Sequence, residues 1–139
     1  MAQTVRDVMT ANPRIVDAND AILEAARAMR DDDVGALVVV ANGQAEGILT
    51  DRDIVVRGVA DERQPDETTV GEIATRNLVA LNATDTVEQA AALMREHAVR
   101  RLPVVENGQT VGIVSLGDLA IERDSQSALA EISAAPANN

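Results

Sequence analysis

An internal repeat constrains this chain more than any other feature of its sequence. When the sequence is shifted by 65 residues, its two halves align without a gap from Val5 to Val55. The identities include Val5 with Val70, Thr10 with Thr75, Met29 with Met94, Gly47 with Gly112, and Asp53 with Asp118. An ungapped register of this length indicates that the chain contains two copies of one structural unit.

The sequence of each copy predicts secondary-structure elements in the order strand, helix, strand, strand, helix. A short extended piece (Arg14–Val16, or Leu78–Leu81) precedes a helix that starts after Asp20 or Asp85. Apolar residues then recur at helical spacing, and Asp85-Thr86-Val87-Glu88 has the spacing of a capping box. The apolar positions are Ile22, Ala25, Ala26 and Met29, repeated as Val87, Ala90, Ala91 and Met94. These residues predict one helix in each copy, packed on a sheet.

Two strands and a final helix complete each copy. Continuous apolar runs predict buried strands, and the Asn-Gly pairs that follow them predict hairpin turns, which Gln44 and its neighbours could lengthen. The runs are Ala36–Val40 and Leu102–Val105, the pairs are Asn42-Gly43 and Asn107-Gly108, and the returning strands are Gly47–Leu49 and Val111–Val114. The predicted boundaries are residues 1–60 for the first repeat, 61–69 for a linker, 70–124 for the second repeat and 125–139 for a flexible tail. Within that tail, Ala128–Ile132 could form a short helix.

Composition limits the classes of function. The net charge of −11 argues against general nucleic-acid binding and against docking on an anionic membrane, since both need an excess of basic residues. The chain has no Cys, so disulfides, thiolate metal sites and a cysteine nucleophile are excluded. It also has no aromatic residue, so a planar ligand would lie between aliphatic side chains. We find no signal segment and no apolar run of about 18 residues, and we therefore expect a cytoplasmic protein.

A hydroxyl residue followed three positions later by Asp occurs where each returning strand enters its final helix. The two examples are Thr50 with Asp53 and Ser115 with Asp118. Such a pair can form a capping box, which favours a purely structural role. The same strand-to-helix turn can also bind an anion, and the carboxylate suits the diol of a ribose. For either pair taken alone, capping is the simpler interpretation. However, both copies keep the pair at the same offset, and the arginines Arg52, Arg100 and Arg101 lie nearby in sequence, which favours a nucleoside phosphate site.

Other polar features favour structural roles over chemistry. The acidic run Asp31-Asp32-Asp33 could bind a metal, but its counterpart Glu96-His97-Ala98 does not keep three carboxylates, and a solvated loop is the preferred interpretation. His97 is the only histidine, so a multi-histidine metal site is excluded and a catalytic role is disfavoured. No nucleophile–base pair is visible, and we predict that the protein is not an enzyme.

At this point the residues match a known family. The chain resembles a tandem pair of cystathionine-β-synthase (CBS) domains, and in particular stand-alone bacterial CBS-pair proteins of the hypoxic-response type. The matching pieces are Val8-Met9-Thr10 with Pro13, the helix stripe, Arg101-Leu102-Pro103-Val104-Val105, and Gly-Ile-x-(Thr/Ser)-x-x-Asp in both copies. The match covers about Val5 to Arg123.

The resemblance implies an α/β (α+β) fold in which two β-α-β-β-α repeats pack with pseudo-two-fold symmetry into a disc-like pair. It implies a regulatory or sensor module that binds AMP, ADP, ATP or S-adenosylmethionine in clefts between the repeats, requires no other cofactor, forms a homodimer and signals to an unidentified protein. The alternative is a structural interaction module without a physiological nucleotide ligand.

The resemblance also assigns roles to residues. Asp53 and Asp118 would hold ribose, Thr50 and Ser115 would contact phosphate or ribose, and Thr10 and Thr75 would begin the segments that line the base. Residues near Val16, Leu37, Val79 and Leu102 would clamp the adenine. The predicted ligand-binding set is Thr10, Val16, Leu37, Thr50, Arg52, Asp53, Thr75, Val79, Arg100, Arg101, Leu102, Pro103, Ser115 and Asp118.

The two copies differ in ways that predict unequal clefts. The second copy has Arg100-Arg101 where the first has Gly35-Ala36. We therefore expect one cleft, served by Arg100, Arg101, Ser115 and Asp118, to be the better phosphate site.

Overall fold

The computed structural model describes residues 3–123 and contains two repeats of the predicted order, each preceded by a short helix. The first repeat comprises α1 (Val5–Val8), β1 (Thr10–Ala11), β2 (Ile15–Asp17), α2 (Ile22–Asp32), β3 (Ala36–Ala41), β4 (Gln44–Thr50) and α3 (Asp51–Asp53), which continues as a π-helix over Ile54–Val59. The second comprises α4 (Val70–Ile73), β5 (Leu81–Asn82), α5 (Val87–Glu96), β6 (Arg101–Glu106), β7 (Gln109–Ser115) and α6 (Leu116–Arg123). The predicted tail and its helix at Ala128–Ile132 lie outside the described residues.

The two predicted hairpins are confirmed. Strands β3 and β4 pair antiparallel, as do β6 and β7, and each pair is joined by a two-residue Asn-Gly turn. Both turn residues have positive φ (52° and 78° at Asn42 and Gly43), as a type I′ turn requires. The loop is therefore not lengthened at Gln44, and the strands extend further than the sequence predicts. Parallel pairing of β2 with β3, and of β5 with β6, completes the common part of both sheets.

The start of α5 corrects the predicted capping box by one residue. The Gln89 N–H donates to Thr86 Oγ1 at 3.1 Å, and the Thr86 N–H donates to Gln89 Oε1 at 2.7 Å, so Thr86 is the cap. Asp85 instead accepts the Asn82 N–H at 2.8 Å, which closes the turn before the helix. Asp85 and Thr86 can both cap a helix, and the spacing in sequence does not decide between them.

The repeats exchange their N-terminal segments. Strand β1 of the first repeat pairs with β7 of the second, with Thr10 opposite Ile113. In return, Thr75 of the second repeat bonds Ile48 on β4 through both backbone groups, at 3.0 and 3.1 Å. The sheets are therefore β2-β3-β4, extended by the bridge at Thr75, and β1-β7-β6-β5.

The helices that precede these segments complete the opposite hydrophobic cores. Val70 and Ile73 of α4 are 0% and 1% exposed and belong to the core of the first repeat. Val5 of α1 is fully buried in the core of the second repeat. Gly47 permits this exchange, because a Cβ atom at that position would overlap the carbonyl oxygen of Thr75.

The final helix of the first repeat differs from that of the second. After Asp53 the backbone widens into a π-helix, in which the Ala60 N–H donates to the Val55 carbonyl at 2.8 Å. Buried Gly58 faces Ile22, and a Cβ atom there would lie 3.2 Å from Ile22 Cδ1. Helix α6 at the corresponding position is α-helical. Between residues 3 and 123, no helix has the length and apolar character needed to cross a bilayer.

Candidate functional site

Both hydroxyl–Asp pairs form capping boxes. The Asp53 N–H donates to Thr50 Oγ1 at 3.1 Å, and the Thr50 N–H donates to Asp53 Oδ2 at 2.9 Å. Ser115 and Asp118 repeat this geometry at 3.1 and 2.9 Å. Each box leaves the hydroxyl hydrogen and the second carboxylate oxygen unengaged by the cap itself, so capping and ligand binding are chemically compatible.

Each hydroxyl turn lies in a cleft between the repeats. The first, which we call the Thr50 cleft, has a volume of about 470 Å³. The first repeat contributes four residues to its lining: Ile48, Thr50, Asp53 and Arg57. The second repeat contributes seven: Thr75, Leu78, His97, Ala98, Val99, Arg100 and Arg101. This volume lies in the range of small-molecule sites. The cleft combines an aliphatic wall, a hydroxyl, a carboxylate and several basic groups.

The second cleft, which we call the Ser115 cleft, has a volume of about 550 Å³ and reverses the contributions of the two repeats. Its lining consists of Ile113, Ser115, Asp118 and Arg101 from the second repeat and Thr10, Ala11, Asn12, Pro13, Arg14, Asp32, Asp33, Val34, Gly35 and Ala36 from the first. Gly35 and Ala36 occupy the positions that Arg100 and Arg101 hold in the Thr50 cleft. Three carboxylates against two arginines make the Ser115 cleft the more acidic of the two.

The arginines divide into two groups by their partners. Six of them lie within ion-pair distance of a carboxylate: Arg6 with Glu106, Arg14 with Asp32, Arg27 with Glu24, Arg30 with Asp31, Arg63 with Glu72, and Arg76 with Glu46. Among the described residues, Arg57, Arg100 and Arg101 form no such pair, and all three line the Thr50 cleft. Arg52 and Arg95 also lack one and lie outside both linings. In a chain of net charge −11, three neighbouring unpaired arginines mark this cleft as the electropositive one.

Arg57 has a backbone partner instead of a carboxylate. Its Nη1 donates to the carbonyl oxygen of Ile73 at 3.1 Å. Ile73 is the last residue of α4, where helical carbonyls have no intrahelical partner. The bond therefore joins the π-helix of the first repeat to the segment of the second repeat that leads into Thr75.

The structure corrects the predicted grouping of the phosphate residues. Arg100 lines the Thr50 cleft and not the Ser115 cleft, while Arg101 lines both. Strand β4 packs against β6, so the carboxyl end of β4 at Thr50 faces the start of β6. Arg100 meets Ser115 only in a separate recess beside Leu116. The predicted grouping of Arg100 with Ser115 and Asp118 is therefore wrong, and the distribution of charge favours the Thr50 cleft over the Ser115 cleft for a phosphate.

The residues predicted to clamp an adenine lie elsewhere. Val16, Leu37 and Leu102 are at most 6% exposed and pack in the two cores, because their positions on the strands point inward. Pro103 is also buried, opposite Ile113 in the β6–β7 hairpin. Val79 is exposed and lines neither cleft.

Arg52 lies in a shallow recess with Asp51, Val55 and Val56, outside both clefts. Of the predicted set, Thr50, Asp53, Thr75, Arg100 and Arg101 meet in one cleft, and Thr10, Ser115, Asp118 and Arg101 meet in the other.

Several lining residues were not predicted from the sequence. They include Ile48, Arg57, Leu78, His97 and Val99 in the Thr50 cleft. Most have a lining counterpart 65 residues away, such as Ile113 for Ile48, Pro13 for Leu78 and Val34 for Val99. Once one member of such a pair was known to line a cleft, the 65-residue offset would have identified the other member.

The acidic run at the end of α2 is divided among local partners. Asp31 pairs with Arg30 at 2.9 Å, Asp32 pairs with Arg14 at 3.1 Å, and Asp33 ends the helix in the left-handed conformation. Within residues 3–123, no cluster of three or more His, Cys, Asp or Glu side chains has the arrangement of a metal site.

Comparison with known proteins agrees with this architecture. The CBS domain family model matches residues 5–58 and 70–124. The chain is 43% identical to the CBS domain-containing protein YhcV of Bacillus subtilis over 134 residues, which cover 94% of this chain and 95% of that protein. It is 37% identical to Hypoxic response protein 1 of Mycobacterium tuberculosis, over 84% of this chain and 82% of the relative.

Solved structures show the same fold. A crystal structure of Hypoxic Response Protein I with two coordinated zinc ions matches 85% of this chain and 97% of its own, with a TM-score of 0.72. A hexameric CBS-CP12 protein from bloom-forming cyanobacteria matches 89% of this chain and 74% of its own at 27% identity, with a TM-score of 0.78. The family model covers most of the chain, and the structural matches span both repeats. The chain therefore belongs to the CBS-domain family, and its two repeats form a tandem CBS pair.

Proposed function

We propose that this protein is a non-enzymatic regulatory module that binds an adenine nucleotide in the Thr50 cleft and passes the signal to a partner protein. CBS-pair proteins are generally regulatory modules. The observation that carries the proposal is the set of three unpaired arginines in one cleft of a strongly acidic chain. Guanidinium groups bind phosphate oxygens through planar, charge-assisted hydrogen bonds.

The remaining lining suits the rest of a nucleoside phosphate. The free oxygen of the Asp53 carboxylate can accept hydrogen bonds from a ribose diol, and the hydroxyl of Thr50 can donate to a phosphate. Ile48, Leu78 and Val99 provide the aliphatic surface on which an adenine would lie. The same chemistry is weaker in the Ser115 cleft, because Asp32, Asp33 and Asp118 would repel a phosphate there.

Isothermal titration calorimetry with AMP, ADP, ATP and S-adenosylmethionine tests the proposal. We expect binding by the unaltered protein and a loss of affinity of about tenfold or more in the double variant Arg100→Gln/Arg101→Gln, because each lost charge-assisted bond is worth about 1.5–3 kcal/mol. The matched control is Arg27→Gln/Arg30→Gln, which removes two exposed charges from α2.

Two results would contradict the proposal. The first is the absence of heat with any of the four ligands at high protein concentration, which would contradict nucleotide binding; the second is equal binding by both double variants, which would contradict the assignment of the phosphate to Arg100 and Arg101 of the Thr50 cleft. The first would favour the alternative, a structural interaction module in which the boxes at Thr50 and Ser115 act only as helix caps. The four capping bonds at the two turns are the specific observation in favour of that alternative.

We also infer that the protein self-associates as a homodimer through the π-helix. Val55, Val56 and Val59 are 57%, 44% and 64% exposed on this one element, and exposed apolar residues in a group mark interaction surfaces. The hexameric state of the cyanobacterial relative supports assembly in this fold.

Light scattering coupled to gel filtration tests the assembly. We expect a dimer mass for the unaltered protein and a monomer mass for Val55→Asp/Val59→Asp, because a buried unpaired carboxylate opposes the contact. Val79→Asp, at another exposed valine, should remain dimeric. A monomer mass for the unaltered protein would disprove the assembly.

A further inference from the structure

We propose that Arg57 selects the number of phosphates on the ligand of the Thr50 cleft. In this assignment Arg57 binds phosphate groups beyond the first one, so the cleft prefers nucleoside diphosphates and triphosphates to monophosphates. The inference rests on the proposed function, since it concerns the same cleft. It goes further by naming the ligand class and the residue that distinguishes it.

The location of Arg57 is the first argument. It lies on the π-helix four residues after Asp53, whereas Arg100 and Arg101 come from the other repeat at the start of β6. The basic groups therefore line the cleft from both repeats. A single phosphate beside a ribose held at Asp53 needs only one of these walls, but a chain of phosphates can contact both.

The bonding of Arg57 is the second argument. The only side-chain hydrogen bond of Arg57 within the described residues is to the uncharged carbonyl of Ile73, at 3.1 Å. A carbonyl orients the guanidinium without neutralising its charge, and the bond uses one of five N–H donors. The side chain is therefore held in the cleft wall with its charge uncompensated and with donors to spare.

The comparison of the two clefts is the third argument. In the sequence, the residue 65 positions after Arg57 is Glu122, and the counterparts of Arg100 and Arg101 are Gly35 and Ala36. The repeat that supplies the Ser115 turn thus carries no cation at this position of its final helix. Discrimination by phosphate number is accordingly a property of the Thr50 cleft and arises where the first repeat forms a π-helix.

Calorimetric titration with AMP, ADP and ATP, without divalent cations, tests the assignment on unaltered protein and on Arg57→Gln. We expect ADP and ATP affinities to fall by about tenfold or more in the variant. The AMP affinity should change by less than about threefold, as expected for the loss of a solvent-screened charge. Arg27→Gln is the matched control and should leave all three affinities within that smaller range.

Hydrogen exchange, compared with and without ATP for each protein, supplies a second measurement that separates the effect of the ligand from the loss of the Arg57–Ile73 bond. Because Arg57 also holds the Ile73 carbonyl, ATP should slow exchange at Ala74 and Thr75 in the unaltered protein and have a smaller effect in Arg57→Gln. Far-UV circular dichroism checks that the variant is folded.

The outcomes separate the two proposals. If no nucleotide binds the unaltered protein, both are overturned. If nucleotides bind, and Arg57→Gln lowers AMP and ATP affinity equally or lowers neither, the role of Arg57 is disproved while the proposed site stands. A selective loss of ADP and ATP affinity would support the assignment.

Discussion

At the scale of single residues, pairs of a hydroxyl and an acid lie at several helix starts in different surroundings. At α3 the bonds between Thr50 and Asp53 are reciprocal, whereas at α4 the Thr69 N–H and hydroxyl both donate to Glu72 Oε2, at 2.6 and 3.1 Å. The Thr50 box shares its cleft with three arginines, whereas Arg63, at 3.4 Å, is the one arginine of the described residues within ion-pair distance of Glu72. A hydroxyl followed three residues later by an acid therefore predicts a cap, and only the groups opposite it distinguish a binding site.

The Glu72 box predicts a pH dependence of stability. Hydrogen bonds from the Thr69 backbone N–H and hydroxyl, followed by the charge of Arg63, hold the pKa of Glu72 below its ordinary value of 4.5. A lowered folded-state pKa stabilises the fold above the unfolded value, and this stabilisation is lost as the pH falls through the folded-state pKa. We expect the free energy of unfolding to exceed that of Glu72→Gln at neutral pH, and the difference to vanish well below pH 4.5.

Urea denaturation followed by far-UV circular dichroism at several pH values measures this difference. Glutamine keeps the acceptor, as Gln89 does in the box of α5, so the variant isolates the charge. The reciprocal change Gln89→Glu should create a similar pH dependence at α5. A difference between unaltered protein and Glu72→Gln that stays constant across the pH range would contradict the account.

Some residue-level features of the candidate site were predictable and others were not. The spacing of Thr50 and Asp53 predicted their mutual contact, because both lie within one helical turn. Arg100 was assigned to the wrong cleft, because its place depends on how β4 of one repeat packs against β6 of the other. Local spacing carries no information about such a contact between repeats.

At the scale of elements, the strongest local signals were sufficient. Asn-Gly placed both hairpins correctly, since few other residue pairs adopt two successive positive φ angles. The final helix of the first repeat was predicted, but its π-helical form was not. The buried Gly58, which packs on Ile22, belongs to this element, and no helical periodicity reports such a tertiary contact.

The short helices α1 and α4 were missed for a related reason. Each has four residues, too few to show an apolar period, and isolated helices of that length are unstable. They exist because Val5 and Val70 are buried in the core of the opposite repeat. The ungapped offset of 65 residues revealed the two copies but not this exchange between them.

At the scale of the whole molecule, the exchange joins the two repeats through both cores and both sheets. Each core is incomplete without a helix from the other repeat, and each sheet receives its edge segment from the other repeat. Both clefts lie along this seam, so a ligand that contacts both repeats stabilises the contact between them. Under the proposed function, occupancy of a cleft would therefore alter the packing between the repeats.

The exchange predicts that a change in one core destabilises both repeats. Ile73 follows the linker in sequence, yet it is 1% exposed in the core of the first repeat. Ile73→Ala should lower the free energy of unfolding by about 2–5 kcal/mol, the usual cost of truncating a buried isoleucine. We expect one cooperative transition, because the loss of either core removes a helix from the other.

Far-UV circular dichroism during urea denaturation measures the transition, since the chain has no Trp or Tyr to report unfolding by fluorescence. Hydrogen exchange near the denaturation midpoint, read separately for α2 and α5, shows whether the repeats open together. Leu81→Ala, at a fully buried residue of the second core, is the matched variant and should behave in the same way. If Ile73→Ala opened α2 while α5 stayed protected, the repeats would be independent and the exchanged helices would not couple them.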